Sequence, residues 1–117
     1  MKGQTYNVGM EAAKTIYKIL SAFEEQLDNV EFNTDLLDYK AYKVSEIRFV
    51  RYLQMLINAG YIDGIKITPL SDNTFYVNPS SPTITLKGIE YLADNSVMQK
   101  VVGFIKKGEE ITIPALV

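Results

Sequence analysis

Side chains that hydrogen-bond strongly recur at helical spacing between residues 48 and 58. They are arginines and amides: Arg48, Arg51, Gln54 and Asn58. Steps of three or four residues place such side chains on one face of an α-helix, because each residue turns the helix by about 100°. Guanidinium and amide groups hydrogen-bond the base edges and phosphates of DNA. The pattern therefore predicts a helix face that contacts DNA.

Arg48 has two interpretations. It lies in the first turn of the predicted helix, where a positive charge opposes the helix dipole, so helix formation does not favour an arginine there. Either Arg48 pairs with a nearby carboxylate or is solvated, or it contacts DNA with the other polar residues of this region. The full predicted DNA-binding set is Lys43, Ser45, Arg48, Arg51, Gln54, Asn58 and Lys66.

The ends of this helix are marked by capping residues. Ser45 is a favourable N-cap, and Val44 with Phe49 can form a hydrophobic staple. Gly60 can adopt the left-handed conformation after the last turn, with Tyr61 folding back onto the helix as in a Schellman motif. The predicted core side carries Phe49, Val50, Leu53, Leu56 and Ile57; Ile47 and Met55 join the polar residues on the outer side, and Tyr52 lies at the boundary.

A two-stranded hairpin is predicted to follow. Ile65 and Ile67 alternate with polar neighbours, which indicates a strand over 65–68, and a returning strand is predicted over 75–77. Residues 71–74 have turn chemistry. The segment 78–82, with Pro79 and Pro82, is expected to be a loop rather than regular structure.

The remaining elements are predicted to be helical. A long amphipathic helix runs from about Gly9 to Asp28, and a short one, capped by Asn33 or Thr34, reaches about Tyr42. Between them, Val30–Phe32 is long enough for a single strand bridge only. Thr85 caps a helix from Leu86 that breaks at residues 94–95, and a capping box at Ser96–Gln99 starts a last helix over 97–107. Residues 1–7 and 109–117 are expected to be loosely ordered or partner-contacting ends.

Together these elements predict an α+β fold that is mostly α. It is a winged helix-turn-helix with five helices, an extra C-terminal helix pair and a small two- to three-stranded antiparallel wing sheet. The expected core is Leu20, Phe23, Phe49, Leu53, Leu56, Ile89 and Leu92.

Composition indicates one globular domain over residues 1–117, with 47% hydrophobic and 22% charged residues. The net charge of −2 speaks against a strongly electrostatic DNA-binding protein. The charge is uneven, however: residues 1–39 carry −4, residues 67–117 carry −1, and residues 40–66 carry +3 from five basic and two acidic residues. The basic segment coincides with the predicted DNA-binding helix and strand.

Catalytic and metal chemistry find little support in the residue types. The chain has no histidine and no cysteine, and it lacks G-x-S-x-G, S-x-x-K, P-loop and Rossmann patterns. The pairs Glu24/Glu25 and Glu109/Glu110 are adjacent and diverge on a helix, while Asp35 and Asp38 suit a helix start. We expect no enzyme activity, no cofactor and no metal. No secretory leader or membrane-length apolar run is found, so we expect a cytoplasmic protein.

Two segments resemble a known family. They are T-I-T-L-K-G-I-E-Y-L-A-D-N-S at 83–96 and L-I-N-A-G-Y-I-D-G-I at 56–65, supported by Ile16–Leu20 and Met98–Lys100. Their order is similar to that of the YjcQ-like family, small winged-helix proteins of bacterial chromosomes and prophages, over about residues 9–108. The resemblance implies a winged-helix fold and a DNA-binding role, and it implies no catalytic residues.

Two functions are consistent with these observations. The first is a DNA-binding transcriptional regulator or accessory protein related to prophages, bound to double-stranded DNA. The alternative is a protein-interaction module on the same scaffold with no DNA binding. A continuous positive surface over Arg48, Arg51 and Lys66 would favour DNA, and an exposed apolar patch with Ile47 and Met55 would favour a protein partner. Residues Val97–Val117 are apolar enough to fold back onto the first helix or to form a homodimer.

Overall fold

The computed structural model describes residues 2–95. The chain forms helix α1 (Lys2–Glu25), helix α2 (Glu46–Asn58), strands β1 (Ile62–Pro69) and β2 (Phe75–Ile84), and helix α3 (Leu86–Asp94). The strands pair as a two-stranded antiparallel sheet. The predicted mostly helical α+β class is confirmed, with the two-stranded form of the sheet. The winged-helix assignment stays a prediction.

Helix α1 begins at Lys2, so residues 2–7 are helical and the predicted start near Gly9 is wrong. Its apolar stripe supplies Leu20 and Phe23 to the core, both fully buried as predicted. The α-helix ends at Glu25, and a 3-10 turn (Gln26–Asp28) extends it to the predicted boundary. Asn29 ends this turn in an extended conformation.

The predicted second helix is two 3-10 turns, Thr34–Leu37 and Tyr39–Tyr42. Asn33 caps the first turn by accepting the Asp35 N–H, and Asp38 caps the second by accepting the Lys40 N–H. A side chain that hydrogen-bonds the backbone two residues ahead competes with the α-helix, which explains the interruption at Asp38. Residues 30–32 form no strand bridge and Val30 is fully exposed.

Both predicted ends of α2 are confirmed. The Ser45 hydroxyl accepts the Arg48 N–H at 3.2 Å. At the other end Gly60 has φ +82°, the Gly60 N–H donates to the Ile57 carbonyl and the Tyr61 N–H donates to the Leu56 carbonyl, which is the Schellman pattern. The predicted core side is buried except for the partly exposed Ile57, and Tyr52 joins it at 5% exposure.

The sheet is longer than predicted, and the loop predicted over 78–82 is wrong because those residues belong to β2. Pro79 pairs with Ile65, and the Leu70 N–H donates to the Thr74 carbonyl at the hairpin end. Since hydrogen-bonded and non-hydrogen-bonded pairs alternate from that point, the pair Ile65/Pro79 falls at a non-hydrogen-bonded position. There the missing proline N–H removes no bond between the strands, and the strand accepts the residue.

Helix α3 starts as predicted, with the Thr85 hydroxyl accepting the Gly88 N–H, and it ends at Asp94. The prediction of a buried Ile89 is wrong, since its side chain is 38% exposed. Gly88 faces the neighbouring layer instead, where a Cβ would overlap the Tyr61 carbonyl oxygen. The residue one position later therefore turns away by about 100°. Tyr91 and Leu92, three and four positions after Gly88, pack against the core, but Leu92 is only partly buried and not fully buried as predicted.

The predicted capping box at 96–99, the helix over 97–107 and the tail at 109–117 lie outside the described residues. Within residues 2–95, no helix combines the length and the hydropathy that a membrane crossing needs.

Candidate nucleic-acid interface

The outer face of α2 carries the predicted polar residues. Arg48, Arg51 and Asn58 are exposed, and Gln54 is half-buried. The opposite face is held by Phe49, Leu53 and Leu56, which are fully or almost fully buried in the core. The orientation of the helix is thus determined by packing, and the polar side chains point away from the core. The remaining predicted residues Lys43, Ser45 and Lys66 are also exposed.

A groove of about 440 Å³ lies between the C-terminal half of α2 and strand β1. Gln54, Asn58 and Lys66 line it together with apolar residues, namely Ile57, Ile65 and Ile67. Residues of α2 and β1 therefore line one groove together. The burial of Ile65 beside α2 fixes the strand against the helix and places Lys66, its neighbour on the other face, outward.

Arg48 has a partner that the sequence interpretation did not name. Its guanidinium Nη1 donates to the Tyr52 hydroxyl at 3.0 Å, and its Cζ lies 5.9 Å from the centre of the Tyr52 ring. Arg48 and Tyr52 are one helical turn apart, the spacing at which side chains of a helix meet. The contact could therefore have been predicted from the sequence, by this spacing. One of five guanidinium donors is used, which leaves the others for a ligand.

Lys43 and Ser45 lie before α2 and away from the groove lining. Lys43 has φ +59°, in the left-handed region, and its N–H donates to the Lys40 carbonyl to close the preceding 3-10 turn. The Ser45 oxygen is engaged as the helix cap, so only its hydroxyl hydrogen remains to donate to a phosphate. The structure therefore places Lys43, Ser45 and Arg48 at the start of α2 and Gln54, Asn58 and Lys66 at the groove near its end, with Arg51 between the two groups.

The charges of the basic segment are all at the surface. Its five basic residues are exposed, as are Glu46 and Asp63, the two acidic ones. Glu46 lies in the first turn of α2, where the helix dipole favours a carboxylate. The local charge of +3 over residues 40–66 is thus presented to solvent.

Two apolar side chains interrupt this surface. Ile47 is 43% exposed and Met55 is 55% exposed, on the same outer side of α2 as Arg51. Ile47 and Met55 are eight residues apart, which corresponds to about 12 Å along the helix axis. Arg51 lies midway between them in sequence. The surface is therefore mixed, neither continuously positive nor continuously apolar.

A second groove of about 460 Å³ lies between residues 26–34 and residues 79–83 of β2. Sequence analysis did not predict it, because it depends on the extension of β2 through the two prolines. Its walls include Gln26, whose side-chain carbonyl accepts the Asn33 N–H and the Asn29 amide. These hydrogen bonds fold the segment from Asn29 to Asn33 back onto Gln26.

The comparisons with known proteins give one match. The family model described as YjcQ protein matches residues 17–111, which covers α1 from Tyr17 and every later element described above. None of the curated proteins and none of the solved structures matches this chain.

Proposed function

We propose that this chain, which belongs to the YjcQ family, binds double-stranded DNA with α2 in the major groove and the β1–β2 hairpin alongside it. The observation that supports the proposal is the groove in which Gln54 and Asn58 of α2 meet Lys66 of β1. Amides suit base edges, and an ammonium group suits a flanking phosphate. The role is non-catalytic, that of a regulator or accessory protein acting on chromosomal or prophage DNA in the cytoplasm.

The charge distribution sets the expected strength of this binding. Lys43, Arg48, Arg51 and Lys66 are exposed cations on or beside α2 that belong to the predicted DNA-binding set. Three or four phosphate contacts correspond to a slope of log affinity against log salt of about −3, because each contact contributes roughly −0.9. The net charge of −2 adds a repulsive background. We therefore expect weak binding that depends on salt.

A titration of random-sequence duplex DNA at several salt concentrations tests the proposal. We expect binding at low salt, and we expect Lys66→Ala to weaken binding evenly across sequences and to flatten the slope by about one. Lys14→Ala is the matched control, since it removes the same charge from α1, where Lys14 pairs with Glu11 at 3.2 Å. The absence of duplex binding at low salt would contradict the proposal, as would equal effects of the two variants.

A protein-interaction module is the alternative, and the exposure of Ile47 and Met55 favours it. Hot spots of protein interfaces are clustered and well packed. The two side chains are too far apart to touch, with Arg51 between them in sequence, and this spacing is the reason to place DNA first. If no duplex binds at low salt, the alternative replaces the DNA-binding proposal.

We also propose a homodimer formed through Val97–Val117, a segment outside the described residues. A two-fold dimer would double the phosphate contacts, as in helix-turn-helix dimers that bind two half-sites. Sedimentation of the full chain against a 1–108 truncation tests the proposal. A dimer for the full chain and a monomer for the truncation is the expected result, and two monomers of the same behaviour would contradict it.

A further inference from the structure

The outer face of α2 combines three kinds of side chain. Gln54 and Asn58 are amides, Ile47 and Met55 are exposed apolar residues, and Arg51 lies among them. At about 100° per residue these positions fall within an arc of about 100°. A ligand that contacts the amides of this face therefore also contacts its apolar side chains.

The apolar members of this face are not needed by the core. The core side of α2 is complete without them, because Phe49, Leu53 and Leu56 are at most 2% exposed. Ile47 and Met55 leave 43% and 55% of their surface to solvent. In a DNA major groove, the apolar group available to such isolated side chains is the C5 methyl of thymine. A separation of about 12 Å along the helix axis corresponds to three or four base pairs at about 3.4 Å each.

The amide side chains of Gln54 and Asn58 are suited to adenine, the base that pairs with thymine. In the described part of the chain, neither Gln54 nor Asn58 hydrogen-bonds another side chain, and both line the groove beside Lys66. An asparagine or glutamine amide offers a donor and an acceptor together, which matches N7 and the N6 amino group of adenine in the major groove. A phosphate contact from Lys66 would hold the helix end in place while the amides read the bases.

We propose that α2 reads A·T base pairs, with Gln54 and Asn58 recognising adenine and Ile47 and Met55 contacting thymine methyl groups; this inference rests on the DNA binding proposed above. Arg48 and Lys66 supply phosphate contacts in this arrangement. Specificity then comes from uncharged side chains, and the cations set the salt-dependent affinity that is common to all sequences.

Three duplexes of equal length test the inference with the full chain. One contains only A·T pairs, the second has the same sequence with uracil in place of thymine, and the third contains only G·C pairs. The uracil duplex lacks the methyl group alone, so we expect it to bind roughly 3- to 10-fold more weakly than the A·T duplex. We expect G·C to bind about 10-fold or more weakly, since it presents a different donor and acceptor pattern.

Single variants show which side chains cause the preference for thymine and which cause the preference for adenine. Ile47→Ala and Met55→Ala should reduce the difference between the thymine and uracil duplexes, and the double variant should abolish it. Gln54→Ala and Asn58→Ala should reduce the preference over G·C and the response to 7-deaza-adenine, which lacks N7, while the thymine effect remains. Leu86→Ala is the matched apolar control, because Leu86 is 71% exposed on α3. Circular dichroism confirms folding of each variant.

The outcomes separate this inference from the proposed function. Equal binding of all three duplexes overturns the reading of A·T pairs and leaves DNA binding intact. Tighter binding of the G·C duplex that is lost in Arg51→Ala also overturns it, with Arg51 then reading guanine. Failure of every duplex to bind at low salt overturns the inference together with the DNA-binding proposal.

Discussion

Gly64 lies so close to Ser81 that a Cβ at position 64 would overlap the Ser81 carbonyl oxygen. The two residues meet where the register of the sheet shifts, since Asp63 pairs with Thr83 while Ile65 pairs with Pro79. One residue of β1 thus opposes three of β2 in a bulge. Gly64 has φ +81°, a conformation that glycine adopts without steric cost. The bulge is what allows β2 to continue to Ile84 at the start of α3.

Gly64→Ala should destabilise the fold by more than about 2 kcal/mol. The left-handed conformation alone costs roughly 1–2 kcal/mol for a residue with a Cβ, and displacement of the Ser81 backbone adds to that. Gly60→Ala is the control, because Gly60 has a similar φ of +82° but its nearest neighbour is a side-chain carbon of Lys87 at 3.7 Å. In urea unfolding, Gly64→Ala should lose more stability than Gly60→Ala. Equal losses of stability in the two variants would show that only the backbone conformation matters.

Thr85→Ala should cost about 0.5–2 kcal/mol in stability, the range for losing an N-cap. The Thr85 hydroxyl donates to the Gly60 carbonyl at 2.6 Å and accepts the Gly88 N–H at 3.1 Å, so it joins the end of α2 to the start of α3. Thr85→Ser keeps both hydrogen bonds and should retain most of the stability in urea unfolding. A serine variant as unstable as the alanine variant would assign the effect to the threonine methyl group instead.

The helix ends were predictable because their signals are local. The capping hydrogen bonds at Ser45, Gly60 and Thr85 each join backbone groups within a few residues, and each of these residues lies where capping rules place it. The course of β2 depends on pairing with a distant strand. Pro79 reads locally as a loop residue, and only its position opposite Ile65 makes it compatible with a strand. Ile89 was misplaced for a similar reason, since the contact of Gly88 with Tyr61 decides which side of α3 is buried.

The candidate interface was predictable to the same extent. Helical spacing correctly placed Arg51 and Asn58 outside and Leu53 inside. The meeting of Gln54 and Asn58 with Lys66 depends on how β1 packs against α2, which periodicity does not specify. The contact of Arg48 with Tyr52 was within reach of the sequence, since the two residues are one helical turn apart, although the burial of Tyr52 was left open by its boundary position.

Tyr42→Phe should destabilise the protein by about 1 kcal/mol at neutral pH, the net contribution of one hydrogen bond whose partly buried acceptor loses its donor. The Tyr42 hydroxyl donates to the Leu36 carbonyl at 2.8 Å and the ring stacks on Phe49. Phenylalanine keeps the stacking and removes the donor. Urea unfolding at pH 7 measures the loss, and a change below a few tenths of a kcal/mol would show that water replaces the hydroxyl.

The same residue predicts a dependence of stability on alkaline pH. Burial raises the pKa of Tyr42 far above its ordinary value, and burial also raises the pKa of Tyr17 and Tyr91. A raised pKa in the folded state contributes stability that is complete below the unfolded pKa of about 10 and is lost as pH rises toward the folded pKa. Unfolding between pH 8 and 11 should show a decline in the wild type that is smaller in Tyr42→Phe. An identical decline in both proteins would exclude Tyr42 as its source.

Tyr52→Phe should weaken the proposed DNA binding by orienting Arg48 less well. The hydroxyl holds the guanidinium at 3.0 Å, while the ring contact at 5.9 Å is available to phenylalanine too. Immobilising a long side chain costs about 0.5–1.5 kcal/mol, so releasing Arg48 should reduce affinity roughly 2- to 10-fold, and Arg48→Ala should also flatten the salt slope by about one. If Tyr52 acts through Arg48, the double variant binds no more weakly than Arg48→Ala. Additive losses would instead show that Tyr52→Phe alters the helix itself, and circular dichroism with urea unfolding of the single variant would reveal that change directly.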